Sequence, residues 1–139
     1  MSARDSDLDR LTCRVRGRDA VVRASETART FGKAQWLGQD ELARLCIVVE
    51  ELVANLYDHG GLTETDEVEL TVSSEADGIG VTLVDPGVPF DPWEAPKPIE
   101  PPERGGGAGI GIVRAWAQLI EYRVTEKGNR LKLLLPLHW

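Results

Sequence analysis

The sequence contains few of the residues that hold secreted, metal-bound or membrane-spanning folds together. Its two cysteines, Cys13 and Cys46, lie in apolar stretches without the spacing of metal ligands. This excludes a disulfide scaffold and predicts two reduced core thiols. No apolar run approaches the roughly 20 residues that span a bilayer, and the first ten residues are too polar for a signal peptide. We therefore expect a cytoplasmic protein that does not bind membranes.

Positive charge is also scarce, with 16 Lys and Arg against 23 Asp and Glu and a net charge of −7. Because phosphate neutralisation needs a basic surface, this balance excludes direct, general binding of nucleic acid. A hydrophobic content of 42% in 139 residues excludes a disordered chain and fits one domain over residues 1–139. Such an acidic chain can bind an anion only at a local site whose own groups attract negative charge.

Proline and glycine are concentrated in one part of the chain. Seven of the eight prolines lie between Pro86 and Pro102, and five of the 14 glycines lie between Gly105 and Gly111. Compact domains normally distribute these residues among short turns, and long loops are usually functional or disordered. The pattern predicts one such loop in the second half of the chain.

Apolar periodicity predicts three helices and five strands. The clearest helix has apolar residues at steps of three and four from Leu42 to Leu56, between a cap at Asp40 and a stop at Gly60. Tight turns join most strands, which predicts an α/β (α+β) two-layer sandwich with a mixed, mostly antiparallel sheet and helices on one face. The predicted strands are 10–16, 67–73, 79–84, 121–125 and 131–135, and the predicted helices are 20–37, 40–59 and 110–120.

Glu51, Asn55, Asp58 and His59 form a polar stripe on the second predicted helix. Positions 51 and 55 share a face because they are four residues apart, and positions 58 and 59 extend that face by one turn. A solvated flank usually carries long Lys, Arg and Glu side chains, whereas Asn, Asp and His are mediocre helix formers. The stripe alone is compatible with a solvated flank or with a functional site.

Asp85 ends an apolar strand and is followed by Pro86 and Gly87. An ordinary turn explains this pattern. A functional site is the alternative, since the carboxylate could accept a hydrogen bond from a base amine while Gly87 lets a flat ring lie against the backbone.

Glycines also open the third predicted helix, at positions 105–111. Converging backbone N–H groups and the positive end of a helix dipole form an anion cradle that needs no lysine. The segment lacks the Gly-Lys-Ser/Thr of a Walker A loop and the spacing of a dinucleotide-binding fingerprint. A flexible linker is the alternative.

The three patterns in this order are far more specific than any one of them. A Glu-x-x-x-Asn-x-x-Asp-His helix, an Asp-x-Gly-x-x-Phe turn and a glycine cluster before a helix resemble the Bergerat-fold (GHKL) ATP-binding family. Residues 51–59, 85–92 and 106–114 are most similar to the three boxes of its anti-sigma-factor serine/threonine protein kinases. The resemblance extends over residues 20–136.

The resemblance implies ATP and Mg²⁺ as cofactors and assigns a role to each box. Asn55 would hold Mg²⁺ between the phosphates, Glu51 would be the general base, and Asp85 would bind the adenine amine with Gly87 beneath the ring. Residues 92–108 would form a mobile lid. The implied ATP-binding residues also include Asp58, His59, Phe90, Arg104, Gly105, Gly106, Gly107, Ala108, Gly109, Ile110 and Gly111.

The same resemblance implies protein partners, namely a STAS-type anti-sigma antagonist as phosphoacceptor and a sigma factor, and often a homodimer. One arginine departs from the family pattern, because it stands at Arg104 where the kinases commonly place it at the position of Gly105. This departure favours the alternative function, a nucleotide-gated protein-binding module with little or no kinase activity. Asn129 is the counterpart of a threonine near the adenine in several members.

The four tryptophans are interpreted as anchors of the core or the lid rather than as base-stacking residues. They are Trp36, Trp93, Trp116 and Trp139.

Overall fold

A computed structural model describes residues 9–89 and 106–137. A 3₁₀ turn over Gly17–Asp19 joins the first strand to the first helix. The strands are β1 (Arg10–Arg16), β2 (Glu67–Glu75), β3 (Gly78–Asp85), β4 (Gln118–Thr125) and β5 (Gly128–Pro136), and the helices are α1 (Ala20–Ala34), α2 (Gln39–His59) and α3 (Gly106–Trp116).

The five strands form one sheet in the order β1-β2-β3-β5-β4. Every neighbouring pair is antiparallel, so the predicted α+β fold is confirmed and its sheet contains no parallel pair among the described strands. The central register places Asp85, the last residue of β3, opposite Asn129 near the start of β5.

One face of the sheet is covered by the helices. Alternate residues of β2 and β5 are buried, while the residues between them are half-buried or exposed, with the exception of the buried Ser73. Alternation of this kind follows from the two-residue period of a strand with one covered face. Asp85 and Asn129 belong to the covered face because they are in phase with the buried Leu83 and Leu131.

Two predicted helix boundaries near residue 38 are wrong. The first helix ends at Ala34 rather than Leu37, and the second begins at Gln39 with Gly38, not Asp40, as its N-cap. Glu41 explains the second difference, because from the third position of the helix its Oε1 accepts a hydrogen bond from the N–H of the N-cap Gly38 at 3.1 Å.

The third helix lies earlier in the chain than predicted. It covers Gly106–Trp116 instead of 110–120, and residues 118–120 belong to β4. Leu119 pairs with Leu133 of β5, and a register shift between Leu119 and Glu121 marks a bulge. The apolar pattern of this segment predicts a helix, but its pairing with β5 makes it a strand. The sequence of the segment alone does not reveal that partner strand.

Trp36 forms the end of α1 in an unusual way. Its backbone has φ +60, and its N–H and that of Leu37 donate to the carbonyls of Lys33 and Gly32 at 3.1 and 3.0 Å. This is a Schellman helix end, in which glycine is the favoured residue at the left-handed position. The side chain is 92% exposed, so Trp36 does not anchor the core, and its role as a lid anchor stays a prediction.

Trp116 is half-buried against the core, which confirms the interpretation for that residue. Trp93 and Trp139 lie outside the described residues.

We expect Trp36→Gly to stabilise the protein by about 0.5–1 kcal/mol, because glycine removes the left-handed strain and little buried contact is lost. Urea unfolding measures the change. Trp36→Ala is the matched control, since alanine also removes the indole but keeps the Cβ that causes the strain. An equal gain from both variants would contradict this explanation.

The two cysteines are free, and Cys46 is buried while Cys13 is half-buried. Within the described ranges, no helix combines the length and apolar character needed to cross a membrane.

Candidate functional site

The strand ends that carry Asp85 and Asn129 meet the C-terminal end of α2. Asp85 ends β3, Asn129 lies at the start of β5, and the N–H of Val88 donates to the carbonyl of Gly60 at 3.1 Å. Gly60 directly follows His59, the last residue of α2. The C-terminal end of α2 is therefore attached to the turn that follows Asp85.

Helix α3 packs against α2. The guanidinium of Arg44, in the first half of α2, lies 5.1 Å from the ring centre of Trp116, the last residue of α3. The C-terminal end of α3 therefore lies beside the first half of α2.

Asp85 is held rigidly although it is almost fully buried, with 5% of its surface exposed. Its Oδ1 accepts hydrogen bonds from the Gly87 N–H at 2.8 Å and from Asn129 Nδ2 at 3.2 Å. Both bonds end on the same oxygen, and among the described residues Oδ2 has no hydrogen-bond partner. The carboxyl group is therefore oriented with one oxygen free to accept a hydrogen bond from a ligand.

Burial raises the pKa of the Asp85 carboxyl, because it removes water from the charged form. The hydrogen bonds from Gly87 and Asn129 act in the opposite direction and lower this pKa, but burial has the larger effect. A buried carboxyl with a perturbed pKa in such a position is typical of a binding or catalytic site.

Asn129 connects β5 to the whole turn after Asp85. In addition to the bond to Asp85, its Nδ2 lies 2.9 Å from the Gly87 carbonyl oxygen and 3.2 Å from the Val88 carbonyl oxygen. The side chain is only 4% exposed. The resemblance to the family implies a position near the adenine, but these three contacts depend on strand register and have no signal in the local sequence.

Gly87 must be a glycine because a side chain at this position would collide with other parts of the protein. A Cβ at this position would lie 2.4 Å from the Gly60 carbonyl oxygen and 2.9 Å from Leu62 Cδ2. Gly128 is similarly constrained, with φ +125 and a Cβ position 2.2 Å from the Asp85 carbonyl oxygen. Both glycines allow the strand ends and the end of α2 to approach closely. The position of Gly87 beneath an adenine ring stays a prediction.

The four polar residues of the stripe on α2 differ in how far they are buried. Asn55 is 7% exposed, Glu51 is half-buried, and Asp58 and His59 are exposed. No hydrogen bond joins the Asn55 amide to another residue within 9–89 and 106–137. The amide atoms of Asn55 are not among the buried atoms without a partner, so they reach the surface of this largely buried residue and are accessible to a ligand.

The Asn55 amide oxygen fits Mg²⁺ held mainly by phosphate, since Mg²⁺ takes oxygen ligands and commonly binds one or two protein groups plus substrate phosphates. In the described part of the chain, no group of three or more His, Cys, Asp or Glu side chains could hold a metal ion. A metal at this position would therefore depend on the nucleotide for most of its ligands.

The glycine run forms the beginning of α3. The backbone of Gly106, Gly107, Ala108 and Gly109 is helical from its first turn, followed by half-buried Ile110 and exposed Gly111. Free N–H groups at such a helix start attract anions. The predicted site residues Phe90, Arg104 and Gly105, together with residues 92–105 of the predicted lid, lie outside the described residues.

A shallow groove of about 270 Å³ lies elsewhere, between β1 and α1, with Leu11, Cys13, Arg23 and Thr27 among its lining residues. It contains none of the predicted site residues and borders the edge strand rather than the β3–β5 pair. It does not belong to the site formed around Asp85.

The sequence matches the family model of the histidine kinase-like ATPase domain over residues 17–135. The match covers most of the chain, and the chain therefore belongs to this family of ATP-binding domains. No curated protein matches the sequence significantly.

Proposed function

We propose that the protein is a Mg-ATP-binding serine/threonine protein kinase of the anti-sigma-factor type. One observation carries the proposal: the fixed, buried Asp85 carboxylate lies where the turn after β3 meets the end of α2, the helix that carries the largely buried Asn55. Membership of an ATPase-domain family supports the nucleotide, and the three sequence boxes support the kinase type.

The nucleobase would bind at Asp85. Its free Oδ2 is an acceptor that suits the exocyclic amine of adenine, and the low-polarity surroundings strengthen such a bond. A base with a carbonyl oxygen at that position would face the carboxylate with two acceptors and no hydrogen between them. The arrangement therefore favours adenine nucleotides.

The phosphates would extend from there towards α2 and the start of α3. Asn55 would hold Mg²⁺ together with phosphate oxygens, which supplies neutralisation of the charge on the phosphates. Glu51, one turn earlier on α2, would act as general base. The acceptor hydroxyl oxygen bonds to the γ-phosphorus, the bond from that phosphorus to the bridging oxygen of ADP breaks, and the hydroxyl proton passes to the Glu51 carboxylate.

The phosphoacceptor we propose is a serine or threonine of a STAS-type anti-sigma antagonist, with a sigma factor as the second partner. A homodimer and a cytoplasmic location are part of the same proposal. The net charge of −7 supports selection of protein partners rather than nucleic acid.

Labelled ATP and the cognate antagonist test the kinase. We expect label on the antagonist with the wild type and its loss in Glu51→Gln, which keeps the size of the side chain but removes the base while ATP still binds. Asp77→Asn is the matched control, because Asp77 is an exposed acid in the β2–β3 turn at the opposite end of the sheet. Transfer that survives in Glu51→Gln would contradict the role of Glu51.

The position of Arg104 favours one second candidate, a nucleotide-gated protein-binding module. The family commonly places this arginine one residue later, where it reaches the γ-phosphate. Under this alternative the wild type binds ATP and a protein partner but transfers no label. The same labelling experiment separates the two functions.

A further inference from the structure

The strand β1 lies at one edge of the sheet and, in the described part of the chain, pairs only with β2. The Ser74 N–H donates to the Asp9 carbonyl at 2.8 Å, and the bonds of an antiparallel ladder recur at every second residue. The odd-numbered residues of β1 therefore bond to β2. The even-numbered residues direct their N–H and C=O groups away from the sheet, and they are Arg10, Thr12, Arg14 and Arg16.

The four residues with outward backbone groups also form a basic row. Their side chains are exposed on the sheet face that the helices leave uncovered, because the residues between them are half-buried or buried on the other face. Three of the four are arginines, although the chain as a whole has a net charge of −7. Among the described residues, neither Arg10 nor Arg16 forms an ion pair. The open edge of the sheet is therefore positively charged.

Strand β2 shows which kind of strand complements this row. Glu69 lies opposite Arg14, and Glu67 lies opposite Arg16. Arg14 Nε is 3.3 Å from Glu69 Oε2 and 4.0 Å from Glu67 Oε1, yet the Arg14 side chain is still 66% exposed. The acids of β2 alternate with apolar residues that face the core. The same alternation on the open side of β1 would place a second set of acids opposite the arginines.

A groove of about 270 Å³ lies beside the same edge, on the face of the sheet that the helices cover. Its lining includes Leu11 and Cys13 of β1 and Arg23 and Thr27 of α1. In a strand added to β1, the residues between the acids would point to this face, since successive side chains alternate. They would lie next to Leu11 and Cys13, where the groove can take apolar side chains.

We propose that the open edge of β1 binds an extended acidic segment of a partner protein. The segment adds to the sheet as an antiparallel strand, with acidic residues opposite Arg10, Arg14 and Arg16 and apolar residues above the groove. Main-chain hydrogen bonds hold the segment, and the alternating side chains select it. This inference does not rest on the proposed binding of ATP, because β2 separates β1 from the β3–β5 pair.

A second copy of the chain is a poorer occupant of this edge. If two β1 strands pair in antiparallel fashion about Cys13, Arg10 of each copy lies opposite Arg16 of the other. Like charges directly opposite each other destabilise a pair of strands. An acidic segment replaces each of these repulsions by an attraction.

Synthetic peptides test the proposal on the whole chain. The probe is EVELTVE, which copies residues 67–73 of β2 with glutamate in place of Ser73, so that an acid also lies opposite Arg10. KVKLTVK is the matched peptide of opposite charge. By fluorescence anisotropy, we expect EVELTVE to bind at least about tenfold more tightly than KVKLTVK, with an affinity that falls as salt is added.

Methylation of the peptide backbone distinguishes an added strand from attraction between charges alone. The N–H groups of the third and fifth residues of EVELTVE would face β1, whereas those of the fourth and sixth would face solvent. N-methylation at the third and fifth positions should therefore abolish binding, and N-methylation at the fourth and sixth should not. In the protein, hydrogen exchange of the Thr12 and Arg14 amides should slow when EVELTVE is bound, since these N–H groups gain acceptors.

Charge reversal identifies the arginines as the selecting groups. The double variant Arg10→Glu/Arg16→Glu should bind EVELTVE about tenfold more weakly and should prefer KVKLTVK. A loss of structure would weaken both peptides and could not reverse the preference. Arg123→Glu/Lys127→Glu is the matched control, because it changes the net charge equally at β4 and its turn, on the other edge of the sheet.

Three results would overturn the proposal. They are no binding of EVELTVE at millimolar concentration, equal binding of the two peptides, and bound EVELTVE without slower exchange at Thr12 and Arg14. In the first case the arginines only keep other strands away from the edge. Dissociation of a dimer by EVELTVE in sedimentation velocity would also overturn it, since a second copy would then occupy β1. If the double variant does not fold, the exchange measurement on the wild type still decides.

Discussion

Asp85→Asn is expected to abolish the stabilisation of the protein by Mg-ATP while leaving the unliganded protein at least as stable as the wild type at neutral pH. Asparagine has the same shape, and its Oδ1 can still accept hydrogen bonds from Gly87 and Asn129. Its NH₂ group replaces the free Oδ2, however, and meets the base amine with a second donor. Binding is lost without loss of the fold.

The expected effect on ligand stabilisation is large. A ligand at 100 to 1,000 times its Kd stabilises the folded state by about 2–4 kcal/mol, and this gain should appear in the wild type and be absent in Asp85→Asn. Thermal unfolding with and without Mg-ATP measures it. Full retention of affinity in the variant would contradict the assignment of Asp85 to the nucleobase.

The pH dependence gives an independent check on the unliganded protein. Burial raises the pKa of Asp85 in the folded state, so between its unfolded and folded pKa values the folded protein binds more protons. The contribution of Asp85 to the free energy of unfolding therefore increases as the pH falls through the folded pKa and is lost as the pH rises through it. The stability of the wild type relative to Asp85→Asn should improve on acidification, as urea unfolding from pH 7 to pH 4 would show.

Asn55→Leu is expected to remove the part of ATP binding that depends on Mg²⁺. Leucine copies the branching of asparagine but offers no oxygen, and loss of a metal-binding contact typically weakens affinity by about 10- to 100-fold or more. The unliganded protein should stay folded, since Asn55 makes no hydrogen bond to another described residue that leucine would remove.

Calorimetry with Mg²⁺ and with EDTA measures this prediction. The wild type should bind ATP more tightly with Mg²⁺, and Asn55→Leu should bind it equally in both conditions. Asn55→Asp is the control, because it keeps an oxygen ligand and should keep the metal dependence. Full Mg²⁺ dependence in Asn55→Leu would show that the metal does not depend on this side chain.

The sequence predicted the helices and strands whose apolar pattern is visible within the element itself. The apolar period from Leu42 to Leu56 identified α2, and alternation identified the β2–β3 hairpin, because these patterns reflect one buried face of each element. It failed at residues 118–120, where an apolar segment adds to a strand only because β5 lies beside it.

The same distinction between local pattern and packing applies to the candidate site. Residue types and their order predict Asp85, Gly87 and Asn55 as site residues, but the sequence could not show that Asn55 is buried while Asp58 is exposed. Nor could it show that Gly87 is constrained by the Gly60 carbonyl. These properties arise from packing between elements that are far apart in the chain, such as the end of α2 and the turn after β3.

The central claim is that one nucleotide site joins the end of β3, the start of β5, the end of α2 and the start of α3. Titration of Mg-ATP into ¹⁵N-labelled protein tests it most directly through the backbone amide shifts. We expect the largest shifts at Gly60, Gly87, Asn129 and the first turn of α3, with little change in the groove between β1 and α1. Shifts confined to that groove, or no shifts at millimolar Mg-ATP, would contradict the account.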